Sequence, residues 1–165
     1  MDQIEKLHEN VLSAIRGLES GCKVHDHRDL ATEIKTPADF AAALGYPVER
    51  IAKTLFLCSP DRQAYAAAVC PVSRRLDFKS AASAVGLMKV EVASAEDLAA
   101  KTGYPRNGVS PLGLADGIQV VVDRALLDHP TILIGGGAVA VEIEIAPADL
   151  MRISGAAATS LTREG

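Results

Sequence analysis

The sequence predicts an α+β fold: a single compact domain with a mixed β-sheet flanked by helices. Three observations carry this. Short apolar runs and amphipathic helical stretches alternate irregularly along the chain, which disfavours a doubly wound parallel sheet. Two successive runs, 51–58 and 63–69, are joined by the turn Ser59-Pro60-Asp61-Arg62, as in a hairpin. No linker, repeat or low-complexity segment divides the 165 residues, and a chain that is 48% hydrophobic and 23% charged buries a real core.

The elements follow in order. Ile4, Leu7, Val11, Leu12, Ile15 and Leu18 form one stripe, predicting an N-terminal amphipathic helix from Asp2 to Ser20 that Gly21 stops. It packs on the domain, as residues 1–21. A strand at Cys22–His25 begins the main domain, 22–153. Thr36 caps a helix with Pro37 at its first position, Asp39 in its first turn and Gly45 beyond its end. Pro47 starts a helical turn into the strand Ile51–Cys58, and 63–69 returns beside it. Further helices are expected at Asp77–Val85, after the cap Ser94, and from Pro147 to Ile153. Further strands are expected at Lys89–Val92, Gln119–Asp123, Thr131–Ile134 and Val139–Ile145. The small, polar tail 154–165 is expected to fray.

Composition narrows the function. No run of eighteen apolar residues is present, and the acidic, amphipathic N-terminus does not fit a signal peptide, which predicts a cytoplasmic protein without a membrane. Cys22, Cys58 and Cys70 have no C-x-x-C spacing and read as buried reduced thiols. The absence of tryptophan and 4% aromatics argue against a stacking surface for single strands. Net charge is −4, but Arg50 to Arg106 holds nine Lys/Arg against five Asp/Glu (+4), and the remainder eight against sixteen (−8). The middle of the chain therefore receives a phosphate better than the ends do.

Lys53 interrupts the apolar strand. By alternation it shares a face with Ile51, Leu55 and Leu57, while Thr54 and Cys58 take the other. A charge buried there costs several kcal/mol unless paired. Lys53 thus either sits near the strand's open end or has a chemical task. The stretch Thr102–Leu114, with Gly103, Gly108, Gly113, Pro105 and Pro111, is a constrained loop, structural or binding. Ser110 lies in G-x-S-x-x-G with no helix after it, so it is no lipase-type nucleophile. Gly135, Gly136 and Gly137 follow a strand and precede another, which excludes the dinucleotide fingerprint; they make a hairpin turn or a pocket wall. His25 and His27 share one side of a strand, but His8 and His129 supply no third ligand, so they read as a loop cap or cleft rim and not as a metal site. Asp123 flanks a turn, solvated or capping.

Taken together, His25–Asp26, Lys53–Leu55, Thr102–Tyr104, Gly108–Gly113, Asp123, Gly135–Gly137 and Glu142–Leu150 resemble, in order and spacing, the YbaK/ProX family of aminoacyl-tRNA deacylases. The same domain is inserted in many prolyl-tRNA synthetases. The resemblance covers about residue 22 to 153. It implies a strongly curved sheet, no cofactor or metal, and hydrolysis of the ester joining a wrong amino acid to the 3′ end of tRNA. It places the catalytic lysine at Lys53. Substrate contacts fall at His25, Thr54, the loop Gly108, Val109, Ser110 and Pro111, and the glycine wall 135–137. It implies a free-standing trans-editing enzyme for tRNA(Pro) carrying Cys, Ala, Ser or Thr, with prolyl-tRNA synthetase as a partner that holds the tRNA. In the family the attacking water is assisted by a hydroxyl of the terminal ribose. Lys53 then anchors the terminal nucleotide, stabilises developing charge, or acts as a base if desolvation lowers its pKa. Two departures bear on specificity: family members that remove cysteine typically carry serine where this chain has Gly135, and often a tyrosine where it has Lys23 and Val24. A non-catalytic tRNA- or synthetase-binding module of the same fold is the second reading.

Overall fold

The structure, a computed structural model, describes residues 3–164; Met1, Asp2 and Gly165 lie outside the described residues. Two sheets carry it. In the first, β1 (Lys23–Asp26) and β7 (Ile132–Gly135) flank β8 (Val141–Ile145), both antiparallel to it. In the second, the order is β5 (Glu91–Val92), β2 (Ala52–Cys58), β3 (Tyr65–Pro71), β6 (Gln119–Asp123) and β9 (Ala157–Thr159). There β2 pairs antiparallel with β5 and β3, while β6 runs parallel to β3 and β9. Ile51 forms a parallel bridge to Leu133, so the two sheets join at the entrance to β2. A third pair, β4 (Arg74–Leu76) with β10 (Thr162–Glu164), is antiparallel.

The helices form where local chemistry asks for them. Thr36 and Asp39 make a reciprocal capping box on α2 (Pro37–Leu44), which Gly45 ends at φ +74°. Asp77 caps α3 (Phe78–Ala84), Ser94 caps α4 (Ala95–Thr102), and Pro147 opens α5 (Pro147–Ser154). The largest core lies between the first sheet, one face of β3 and β6, and the N-terminal segment. A second fills the space under α3, and a third seats Phe40 of α2 on Ile51 and Leu133 at the sheet junction.

The N-terminal segment keeps the expected stripe but not the expected helix. Leu7, Val11 and Ile15 are buried. The backbone is a 3-10 turn (Ile4–Lys6), α1 (Glu9–Ala14), and a second 3-10 turn (Glu19–Gly21). His8 breaks the run: its N–H donates to the Gly136 carbonyl, its backbone is extended, and its Nδ1 accepts from the Asn10 N–H as a cap. Gly17, at φ +90°, then turns the chain where a continuing helix needs negative φ.

The tail expected to fray is ordered instead. Residues 157–159 and 162–164 are β9 and β10, and Leu161 is fully buried. The buried Asp123 carboxylate holds them: Oδ1 accepts from the Leu161 N–H (2.9 Å) and Oδ2 from the Thr162 hydroxyl (2.8 Å). Asp123 is therefore neither solvated nor a simple turn cap.

Candidate active site

A cavity of about 410 Å³ opens where the start of β2, the segment before α2, the loop 106–109, Gly135 and the residues 140–142 meet. Lys53, second residue of β2, lies in its wall and is half-buried. Its ammonium donates to the Arg74 carbonyl (2.8 Å), and no carboxylate pairs with it among the described residues. The expectation of a position near the strand's end is met, and one backbone acceptor leaves the ammonium two further protons to donate. Thr54 also lines the cavity; its Oγ1 is buried and finds no hydrogen-bond partner among the described residues. A buried hydroxyl without a partner is uncommon.

The two glycine segments meet here by close backbone contact. A β-carbon on Gly135 would stand 2.0 Å from the Val109 carbonyl oxygen, and one on Gly108 would stand 2.7 Å from the Ala138 backbone. Only a residue without a side chain permits either approach. Loop 105–112 is pinned from within: Tyr104 hydroxyl donates to the Leu112 carbonyl, and Ser110 Oγ accepts from the Leu112 N–H. Burial pushes the Tyr104 hydroxyl well above its ordinary pKa, so it stays a donor.

The structure brings Lys53, Thr54, Gly108, Val109 and Gly135 to one cavity and places the other expected contacts elsewhere. Ser110 is fully buried as a turn residue. Pro111 lines a different hollow, beside residues 113–118. Gly136 and Gly137 pack under Leu7, His8, Val11 and Tyr104, which is why they lack side chains. His25 is drawn inward to Glu144 (2.8 Å), whose carboxylate also accepts from Tyr46 and Thr131. Burial opposes ionisation of Glu144, but these hydrogen bonds outweigh it and hold its pKa below the ordinary value. The cavity instead receives His27, Lys35, Arg106, Asn107 and Glu142. A signal for His27 and Glu142 existed: His25/His27 and Glu142/Glu144 both alternate with period two, and β1 and β8 are antiparallel neighbours.

No cysteine lines the cavity. Burial pushes the Cys70 thiol up to about 11 and raises Cys22 and Cys58 as well. No group of three or more metal-ligating side chains forms among the described residues. The site's resources are a lysine ammonium, an unpartnered hydroxyl, glycine backbone and a histidine–glutamate pair. That set suits hydrolysis of an activated ester.

The model of the aminoacyl-tRNA editing domain family matches residues 31–153. The chain belongs to that family. As a member it is a hydrolase of the aminoacyl-tRNA ester. It is 32% identical over 114 residues to a protein of Enterococcus faecalis named as a candidate Cys-tRNA(Pro)/Cys-tRNA(Cys) deacylase, covering 69% of each chain. It is 30% identical over 103 residues to proline–tRNA ligase of Pelobacter propionicus, covering 62% of this chain but only 18% of the ligase. Among solved structures, the hypothetical protein APE2540 superposes with TM-score 0.79 at 30% identity, over 94% of this chain and all of that one. A candidate trans-editing enzyme for prolyl-tRNA synthetase superposes at 0.78 and 24% identity, covering 95% of this chain and 99% of that one, which supports the fold. No helix among the described residues is long and apolar enough to cross a membrane.

Proposed function

We propose that this chain is a trans-editing deacylase that removes a small amino acid from mischarged tRNA(Pro). One observation carries the proposal: Lys53, unpaired with any carboxylate among the described residues, lines one cavity together with the close-packed backbone of Gly108, Val109 and Gly135. The terminal adenosine ester enters with its acyl group inside. Lys53, with Lys35 and Arg106 at the same cavity, supplies positive charge to the terminal phosphates and to the developing oxyanion. The Gly108 N–H is spent on the Pro105 carbonyl, so the backbone N–H groups of Val109 and Gly135 are the ones that donate to that oxyanion, each worth on the order of 3 kcal/mol. The similarity to a protein named as a candidate Cys-tRNA(Pro)/Cys-tRNA(Cys) deacylase supports the deacylase reading. Prolyl-tRNA synthetase is the proposed partner, holding the tRNA body while the acylated end is transferred.

The acyl side chain is chosen among Cys, Ala, Ser and Thr. A methylene or hydroxyl more or less discriminates by only about 1–3 kcal/mol in an apolar pocket, so neighbouring substrates overlap. The test is amino acid release from tRNA(Pro) charged with each of the four and with proline. The expected result is rapid release of one or two small residues with prolyl-tRNA spared. Release of none, beside tight binding of uncharged tRNA, would favour the non-catalytic module.

A further inference from the structure

The cavity holds a polar pair that the lysine chemistry leaves unused. His27 follows β1, and Glu142 is the second residue of β8. His25 stands opposite Glu142 in the antiparallel register, so His27 reaches it diagonally, with Nε2 2.5 Å from Oε2. An ionised carboxylate only accepts, so Nε2 donates in this pair, and in the neutral ring Nδ1 then holds the lone pair. Nδ1 has no hydrogen-bond partner and is not a buried atom among the described residues. The ring packs against the fully buried Phe40 ring, centroids 4.4 Å apart, and the backbone beneath it is fixed by the His27 main-chain N–H, which donates to the Ala140 carbonyl (2.9 Å). Both partners line the cavity that Lys53 lines.

We propose that His27 is the general base of ester hydrolysis in this chain and that Glu142 is its positioning residue. The inference rests on the deacylase reading above. Nδ1 takes a proton from water as the water oxygen bonds to the acyl carbon, and the carbonyl π pair moves onto its oxygen. The Glu142 carboxylate fixes the tautomer and stabilises the imidazolium that results. When the tetrahedral centre collapses, the bond from acyl carbon to ribose oxygen breaks. The imidazolium returns its proton to that oxygen, leaving free amino acid and a tRNA hydroxyl. This chain thus brings its own base, where the family resemblance alone assigns that help to the substrate's ribose.

The experiment measures kcat and KM for release from mischarged tRNA(Pro) by the whole chain, His27→Ala, His27→Gln and Glu142→Gln, with and without added imidazole. Thermal transitions are recorded for each. The expected fall in kcat for both His27 variants is about 10²- to 10⁴-fold at nearly constant KM. Imidazole restores part of the rate to His27→Ala, whose vacated ring site admits it, and none to His27→Gln. Glu142→Gln loses kcat to a smaller degree. An undiminished kcat in either folded His27 variant overturns the inference, as does a loss that imidazole does not relieve in folded His27→Ala. A rise in KM alone for Glu142→Gln would mark a ground-state contact to the substrate ammonium and also contradicts it. If the unaltered chain releases nothing, the deacylase reading falls and takes this one with it. If it is active and His27→Ala equally so, only the base is lost.

Discussion

Gly135 shows how narrowly single residues set this cavity. The Val109 carbonyl oxygen occupies the place where a side chain at 135 would begin, at 2.0 Å. The serine found there in family members that remove cysteine therefore requires the loop 108–109 to withdraw. Gly135→Ser in this chain is expected to destabilise it by about 1–3 kcal/mol, as overpacking of backbone does. It should also change the ratio of release rates among Cys, Ala and Ser, because the moved loop is a cavity wall. Thermal unfolding and the four-substrate panel read both effects; an unchanged transition would mean that the loop moves freely and that Gly135 is not a constraint.

Among the elements, the C-terminal strands bear on the site although none of their residues lines the cavity. Asp123 accepts from Thr162, the Thr162 hydroxyl also accepts from the Arg74 Nε–H (2.7 Å), and the Arg74 carbonyl accepts from Lys53. The pairing of β10 with β4 therefore fixes the acceptor that holds the lysine ammonium. Asp123→Ala leaves the Leu161 N–H and Thr162 O–H without their partner, a cost of about 1–3 kcal/mol for each buried group. Amide hydrogen exchange over 157–164 is expected to accelerate, and release from mischarged tRNA to slow. Unaltered protection of those amides would contradict the role given to Asp123.

For the whole molecule, the parts legible in the sequence are those that local chemistry decides. The Thr36–Asp39 box, the caps Asp77 and Ser94 and the turn 59–62 act within a few residues, and the elements around them form where expected. Parts that depend on distant partners were not legible. The tail is apolar enough only at Leu161, and its strands follow from a carboxylate 38 residues earlier in sequence. The N-terminal stripe gave the buried face correctly, but the break at His8 comes from a contact with Gly136 that periodicity does not reveal. At the site, the lysine and the crossing glycines 108 and 135 were legible as anomalies. The adjacent Ser110, Gly136 and Gly137 look the same in sequence, yet they serve packing. His25 and His27 share one side of a strand in the sequence, and only the partner strand, by assigning each its glutamate, separates the residue that lines the cavity from the one drawn inward.

The central claim, that the Lys53 ammonium acts on the acylated end of a tRNA, is tested most directly by one comparison. Release of amino acid from the best substrate of the panel is measured for the unaltered chain and for Lys53→Ala, with folding of each verified by its thermal transition. A fall of about 10²- to 10³-fold, as for loss of one oxyanion-stabilising group, is predicted. Equal release by the two proteins would contradict the account.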